Sequence, residues 1–421
     1  MGRAPVLTLF GALVALAGYS AGGCVFGGRS DLSATEDLRC WPNAADCNAD
    51  AEDGCETDLL SSVEHCGACD QSCRSGLVCG GGECLAPNDM VEIQGYNGGV
   101  VVRTADGDVW AWGINTDHRI TSAPGVPVTY DTEEISLPTR VEGFPPQAAQ
   151  VATNQAGICA RIGGDVWCRG SSPITLSRAG DSEFAHRIPG IRDAVHLEAG
   201  HEGFCAVDAF NRPLCWGSNL DWNMLAVGAG WDVPAPSFAP VELTQLPEGL
   251  RVVKPSLALT AEGRVLTWGS TIDDGFPGTG REKAPIREVP GLGKVRRVDR
   301  LNTAGYCVET EDLRVVCWGV GPTVWDPTFD ANGHFVLSTG RRFRRVVTSN
   351  GDDFCLLGED GELECPRFPS VNRGGVMDVA NGASSQCVIT LETRRVLCRG
   401  NVFGVEGTGD SWIEAPIPRD E

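Results

Sequence analysis

Residues 204–217 read FCAVDAFNRPLCWG, and the pattern decides the fold. An apolar strand runs into a tight turn and returns as a second strand ending in Trp-Gly. The same unit recurs as VVVRTADGDVWAWG (100–113), ICARIGGDVWCRG (158–170), LALTAEGRVLTWG (257–269), YCVETEDLRVVCWG (306–319), FCLLGEDGELECPR (354–367) and QCVITLETRRVLCRG (386–400). Turn dipeptides such as Asp106-Gly107, Gly163-Gly164, Glu262-Gly263 and Asp360-Gly361 suit short hairpins. A short apolar strand precedes each hairpin: VEIQ, AQVAT, AVHLEA, RVVKP, RRVDR, RRVVTS and MDVAN. Most units end in an extended Pro-rich segment such as APIREVPGL. Four strands at a repeat of about 48 residues make a propeller blade. Seven blades over residues 91–421 predict a closed ring, which removes exposed sheet edges.

The cysteines follow the same repeat. Cys159 and Cys168, Cys205 and Cys215, Cys307 and Cys317, Cys355 and Cys365, and Cys387 and Cys398 stand opposite each other across hairpins, within disulfide reach. Units without cysteine lack both partners together: Val101 and Ala111 in the first, Leu257 and Thr267 in the fourth. The fold class is therefore all-β, a seven-bladed β-propeller behind a small disulfide-rich N-terminal module.

The units resemble the repeats of the regulator-of-chromosome-condensation family. The residues that carry the resemblance are Trp112-Gly113, Trp216-Gly217, Trp268-Gly269 and Trp318-Gly319, with Asn115, Asn219 and Asn401 following. Arg169, Pro366 and Arg399 replace the Trp in three units, and the sixth unit also lacks the Gly. The resemblance implies a seven-bladed propeller suited to protein recognition. The nuclear exchange activity of eukaryotic members does not carry over to a chain with a signal sequence, disulfides and negative charge. A secreted bacterial relative that inhibits a β-lactamase shows the scaffold used as a binder.

The chain has 421 residues, 34 Lys plus Arg, 56 Asp plus Glu and a net charge of −22. Such a chain repels phosphate backbones, so no nucleic-acid partner is expected. Its 19 cysteines indicate an oxidising compartment. Residues 1–23 carry one charge, Arg3, then an apolar run too short for a membrane span, as in a signal peptide. Ser20-Ala21-Gly22-Gly23-Cys24 resembles a bacterial lipoprotein signal, which implies lipidation of Cys24 and anchoring by this end alone. Ordinary signal cleavage with Cys24 free is the alternative. Val25 after the cysteine favours the outer membrane or cell surface; a secreted protein is the other outcome.

Residues 24–39 read as a linker and 40–84 as a Cys-rich module. Its eight cysteines and scant aliphatic content predict four disulfides of unassigned pairing. GCETDL followed by HCGAC resembles a Cys-rich module of myxobacterial-type secreted proteins. Cys66, Cys69 and Cys73 have zinc-like spacing, but disulfides take precedence in an exported segment. Asp46, Asn48, Asp50 and Asp53, with Glu56 and Asp58 beside them, are a candidate calcium cage; Gly54 falls too late for an EF-hand, and a solvated acidic loop is the competing reading. No other cofactor is expected.

Catalytic patterns are scarce. The six His form no HExxH pair. GTGDSW at 407–412 lacks the Gly that a serine-protease motif needs after Ser411, and GFPGTGREK at 275–283 has no Ser or Thr after Lys283. Trp112, Trp216, Trp268 and Trp318 recur with the period and belong to the blade core. Trp222, Trp231, Trp325 and Trp412 fall off the repeat in variable loops and are candidate partner-binding anchors; each folding back on its own blade is the alternative. The leading reading is a cell-surface or secreted lipoprotein, not an enzyme, whose propeller binds a protein or surface glycan. A lyase or glycan hydrolase with a channel site built from Glu92, Asp193, Glu198, Asp299 and Asp378 is the alternative; a purely structural envelope protein is the third.

Overall fold

The computed structural model describes residues 40–50, 52–96, 98–122, 134–176, 184–200, 203–217, 239–270, 283–300, 305–319, 328–329, 334–338, 340–348, 354–365, 372–382, 385–400 and 411–418. Seven antiparallel sheets follow one another along the chain. Their innermost strands are Met90–Tyr96, Ala148–Asn154, Ala194–Ala199, Leu250–Lys254, Val295–Arg300, Phe343–Thr348 and Val376–Asn381, which define blades 1 to 7. Within each blade the chain moves outward strand by strand, except in blade 5, where Phe335–Ser338 pairs with Arg314–Gly319 and the earlier Thr328–Phe329 lies outside it. Among the described residues, blade 5 has five strands and blade 6 has three, so the unit with the weakest sequence match is also the shortest sheet.

Blade 1 and blade 7 each take all their strands from their own stretch of chain, so the ring closes by packing and not by strand exchange. Met90, Ile93, Val100 and Trp112 share a core with Ala380, Cys387, Ile389 and Cys398. Gly95 makes this seam possible: a Cβ there would fall 2.1 Å from the Asn381 carbonyl oxygen. The Met90 amide also donates to the Arg394 carbonyl at 3.1 Å.

The repeat signature has a physical basis in this packing. Trp216, Trp268, Trp112 and Trp318 are buried, and the Trp216 indole N–H donates to Ile174 O of the preceding blade at 3.0 Å. Arg169, at the Trp position of blade 2, is also buried; its Nη1 donates to Glu142 O of blade 1 at 3.1 Å. The following glycine adopts positive φ: 106° at Gly113, 132° at Gly170 and 131° at Gly217. That conformation is strained for any residue with a Cβ.

The five hairpin disulfides join cysteines whose Cα atoms lie 4.0–4.2 Å apart. That is the close spacing of directly opposed residues in a non-hydrogen-bonded pair. In the module the pairs are Cys40–Cys55, Cys47–Cys69, Cys66–Cys79 and Cys73–Cys84. These bonds occupy the cysteines that had zinc-like spacing.

The module is seated on the ring. Trp41, Ala44 and Cys55 pack into one core with Val195, Cys205, Val207 and Ala209 of blade 3. The Cys55 amide donates to Ala209 O at 3.1 Å. Asp58 pairs with Arg161 of blade 2, and Glu83 with Arg394 of blade 7.

Candidate functional site

Every innermost strand breaks its ladder once, at the same place. The extra residue is Val91, Ala149, Val195, Arg251, Arg296, Arg344 and Met377 in blades 1 to 7. A bulge adds twist and re-aims side chains. Two residues on, Ile93, Val151, Leu197, Val253, Val298, Val346 and Val379 turn into the cores between blades. Side chains around these positions line a central cavity of about 750 Å³. The module contributes Trp41, Pro42, Asn43, Gly80, Gly81 and Glu83 to its lining.

The cavity reverses the charge of the chain. Arg251, Lys254, Arg296, Arg297, Arg344, Arg345 and Arg394 line it, against Glu83, Glu198, Asp299 and Asp378. Glu198 bonds Lys254 and has His196 Nε2 at 3.3 Å. Burial pushes its carboxyl up, but Lys254 and His196 outweigh that and bring it down to about 2. Asp378 Oδ1 lies 2.5 Å from Arg345 Nη1, and Arg345 also donates to Ile93 O and Gln94 Oε1, each at 3.0 Å. Asp299 accepts from the Val346 amide at 3.1 Å. Burial holds its carboxyl above the usual aspartate value, although Arg345, Arg297 and Lys254 pull the other way.

Of the five carboxylates the alternative enzyme reading would use, three line the cavity. Glu92 instead turns into the seam between blades 1 and 2, where it bonds Arg103 at 2.9 Å and accepts from the Val151 amide at 3.2 Å. Asp193 sits exposed in the turn before its strand, with φ 52°. The channel acids are thus tied to cations or backbone N–H groups. Sequence reasoning weighed these acids and passed over the arginines, whose signal was the basic strands RVVK, RRVDR and RRVVTS.

The remaining candidate residues are dispersed. Asp46, Asp53 and Glu56 bring carboxylate oxygens within 4.8 Å of one another. Asn48 Nδ2 donates to Asp53 at 2.9 Å, while Asp46 and Asn48 accept from the Asp50 amide at 3.1 and 2.7 Å. Asp58 leaves this cluster for Arg161. Trp412 is partly buried against the core shared by blades 6 and 7, with the guanidiniums of Arg373 and Arg399 each 5.6 Å from its ring. Cys24, Trp222, Trp231 and Trp325 lie outside the described residues.

Ring, bulged inner strands and recurrent Trp-Gly hairpins define a seven-bladed β-propeller. The chain is similar to human WBSCR16 at 15% identity and a TM-score of 0.56, covering 73% of this chain and 89% of that one. It is similar to Prp20p of Saccharomyces cerevisiae at 14% identity and a TM-score of 0.53, covering 70% and 80%. Yeast RCC1 (Prp20) bound to Kap60 aligns over 95% and 90% at 13% identity and a TM-score of 0.46. No protein-family model and no curated protein matches the sequence. Nine disulfides fit an oxidising, exported setting. No helix among the described residues is long and apolar enough to cross a membrane.

Proposed function

We propose that this chain is an exported recognition protein whose propeller binds a protein partner through the segments that join its blades. The observation that carries the reading is the state of the channel acids. Glu198 and Asp378 are ion-paired, and Asp299 is held by a backbone amide. A glycan hydrolase needs one carboxylic acid and one carboxylate free to reach the scissile bond, and this arrangement favours binding over that chemistry. The similar propeller Prp20p is described by its binding to Gsp1p and histones; its likeness supports the scaffold's suitability for protein recognition. In this reading Cys24 carries the lipid anchor, residues 24–39 tether residues 40–84 and the 91–421 ring to the outer membrane or cell surface, and Trp222, Trp231 and Trp325 supply aromatic anchors.

Cross-linking the oxidised chain to envelope and medium fractions of its source tests this. A matched sample carries Trp222→Ala, Trp231→Ala and Trp325→Ala. One protein captured by the parent and lost from the triple variant supports the reading. Capture that survives proteolysis of the envelope but not periodate treatment replaces the protein partner with a glycan. No captured partner in either sample overturns recognition. Palmitate labelling with Cys24→Ser as control tests the anchor separately.

A further inference from the structure

We infer that the central cavity is a binding site for a small polyanion, a molecule carrying two or more carboxylate or phosphate groups. The site is distinct from the blade-joining segments, so it does not depend on the protein-recognition reading. Three observations carry it.

The cationic side chains are concentrated on one wall. Blades 4, 5 and 6 are consecutive, and the bulge residue of each is an arginine: Arg251, Arg296 and Arg344. Blades 5 and 6 add a second arginine directly after it, Arg297 and Arg345. The equivalent bulge residues of blades 1, 2, 3 and 7 are Val91, Ala149, Val195 and Met377. Ring geometry therefore gathers onto one side of the channel charges that are 45 or more residues apart in sequence.

Part of this charge has no counter-charge. Lys254, Arg345 and Arg394 are taken up by Glu198, Asp378 and Glu83. Arg296 lies 3.6 Å from both Glu309 and Glu359. Among the described residues, Arg251 has no ion-pair or side-chain hydrogen-bond partner, Arg297 has none within bonding distance and feels only the charge of Asp299, and Arg344 has only the Met377 carbonyl, at 2.9 Å. Arg297 is exposed to the cavity that it lines. Asp299, on the same strand as Arg297, accepts the Val346 amide and is shared by the charges of Arg345, Arg297 and Lys254, so one carboxylate faces several cations.

The cavity has the dimensions of a small-molecule site. Its roughly 750 Å³ falls within the range of ligand pockets. Guanidinium groups present a planar fork that suits carboxylate and phosphate oxygens, and low-dielectric walls focus the field of a charged cleft. A long polyanion would meet the remaining surface of a chain with net charge −22; a short one avoids that repulsion. Residues 41–43, 80, 81 and 83 of the module complete the lining of the site.

Calorimetry on the full disulfide-bonded chain tests the inference, with citrate, pyrophosphate, inorganic phosphate and uncharged glycerol at constant ionic strength. The expected result is one citrate or one pyrophosphate per chain with a dissociation constant below about 1 mM. Comparison of the two tells carboxylate from phosphate. Arg251→Gln with Arg297→Gln should weaken that binding at least tenfold, about 1.4 kcal/mol, while Arg192→Gln on an exposed turn leaves it unchanged. Circular dichroism and melting temperature report that each variant folds. The inference is overturned if neither polyanion binds, if the double variant binds as the parent does, or if inorganic phosphate binds as tightly as pyrophosphate.

Discussion

Asp58 Oδ2 of the Cys-rich module lies 2.6 Å from Nη1 of Arg161, whose side chain is 1% exposed inside blade 2. A buried guanidinium needs a counter-charge, and here a separate module supplies it. Among the described residues, Arg161 has one other polar contact, the Ala194 carbonyl at 3.4 Å, and its Nε and Nη2 have no hydrogen-bond partner. Asp58→Asn should therefore destabilise the protein by about 3 kcal/mol, because it strands the charge. Adding Arg161→Met should recover much of that loss. Denaturant melts of both single variants and the double variant measure the coupling; additive effects would show that the pair does not hold the module to the ring.

Acid should loosen the channel before it unfolds the blades. Glu198 titrates near 2 in the fold, below the ordinary glutamate value of 4.5. Its folded-state value is depressed, so the unfolded chain takes up the proton first. The stability it contributes is present above pH 4.5 and is lost as pH falls toward 2. Burial raises the Asp58 carboxyl, but Arg161 and hydrogen bonds from Ser61 and Leu60 bring it below the ordinary aspartate value of 3.8, so its contribution is lost as pH falls below that value. Melting temperatures from pH 6 to pH 2 should drop most steeply below 4.5, and Glu198→Gln should flatten that slope. A variant profile parallel to the parent's would remove Glu198 from the account.

The hairpin bridges should be individually dispensable. Blades 1 and 4 hold Val101 opposite Ala111 and Leu257 opposite Thr267 at the bridged positions, so the hairpin closes without sulfur. Cys205→Val with Cys215→Ala should fold, with the loss of about 2–3 kcal/mol that a loop of this length predicts. Thermal melts and non-reducing peptide maps of the remaining bridges check this; scrambled bridges would show that the disulfide directs pairing and does not merely stabilise it.

The buried Gly170 should resist substitution. It sits at φ 132°, and a Cβ would fall 2.4 Å from the Ala156 carbonyl oxygen. Gly170→Ala is expected to cost about 2 kcal/mol or more from backbone strain and overpacking. Gly190→Ala, also at positive φ but with open space around its Cβ position, should cost less. Equal losses in the two melts would leave backbone strain alone as the cause.

The fold was largely legible because its determinants are local. Alternation along a strand, a turn dipeptide, and two cysteines nine to eleven residues apart all act within one hairpin, and repetition makes them visible. The buried Arg169 and the half-buried Arg399 were less readable. They looked like losses of the Trp, yet Arg169 bonds the carbonyl of Glu142 in the previous blade, and Arg399 bonds Gln386 and lies over Trp412. Arg169 keeps an interblade contact by another chemistry, which cannot be recognised until the neighbouring blade is in place, whereas Arg399 makes these contacts within blade 7.

The sequence alone determined the repeat, the all-β class, the hairpin cysteine pairs and the acidic character of the chain. Tertiary structure decided which charges share the channel. Glu92 and Glu198 both lie on innermost strands, yet one enters a seam and the other the cavity. Arg251, Arg297 and Arg344 come from three separate repeats and meet only when the ring closes. Strand periodicity is set by neighbouring residues, whereas the field inside a channel is a sum over every blade that faces it. The bulge in each inner strand, not the repeat itself, sets which side chains enter that sum.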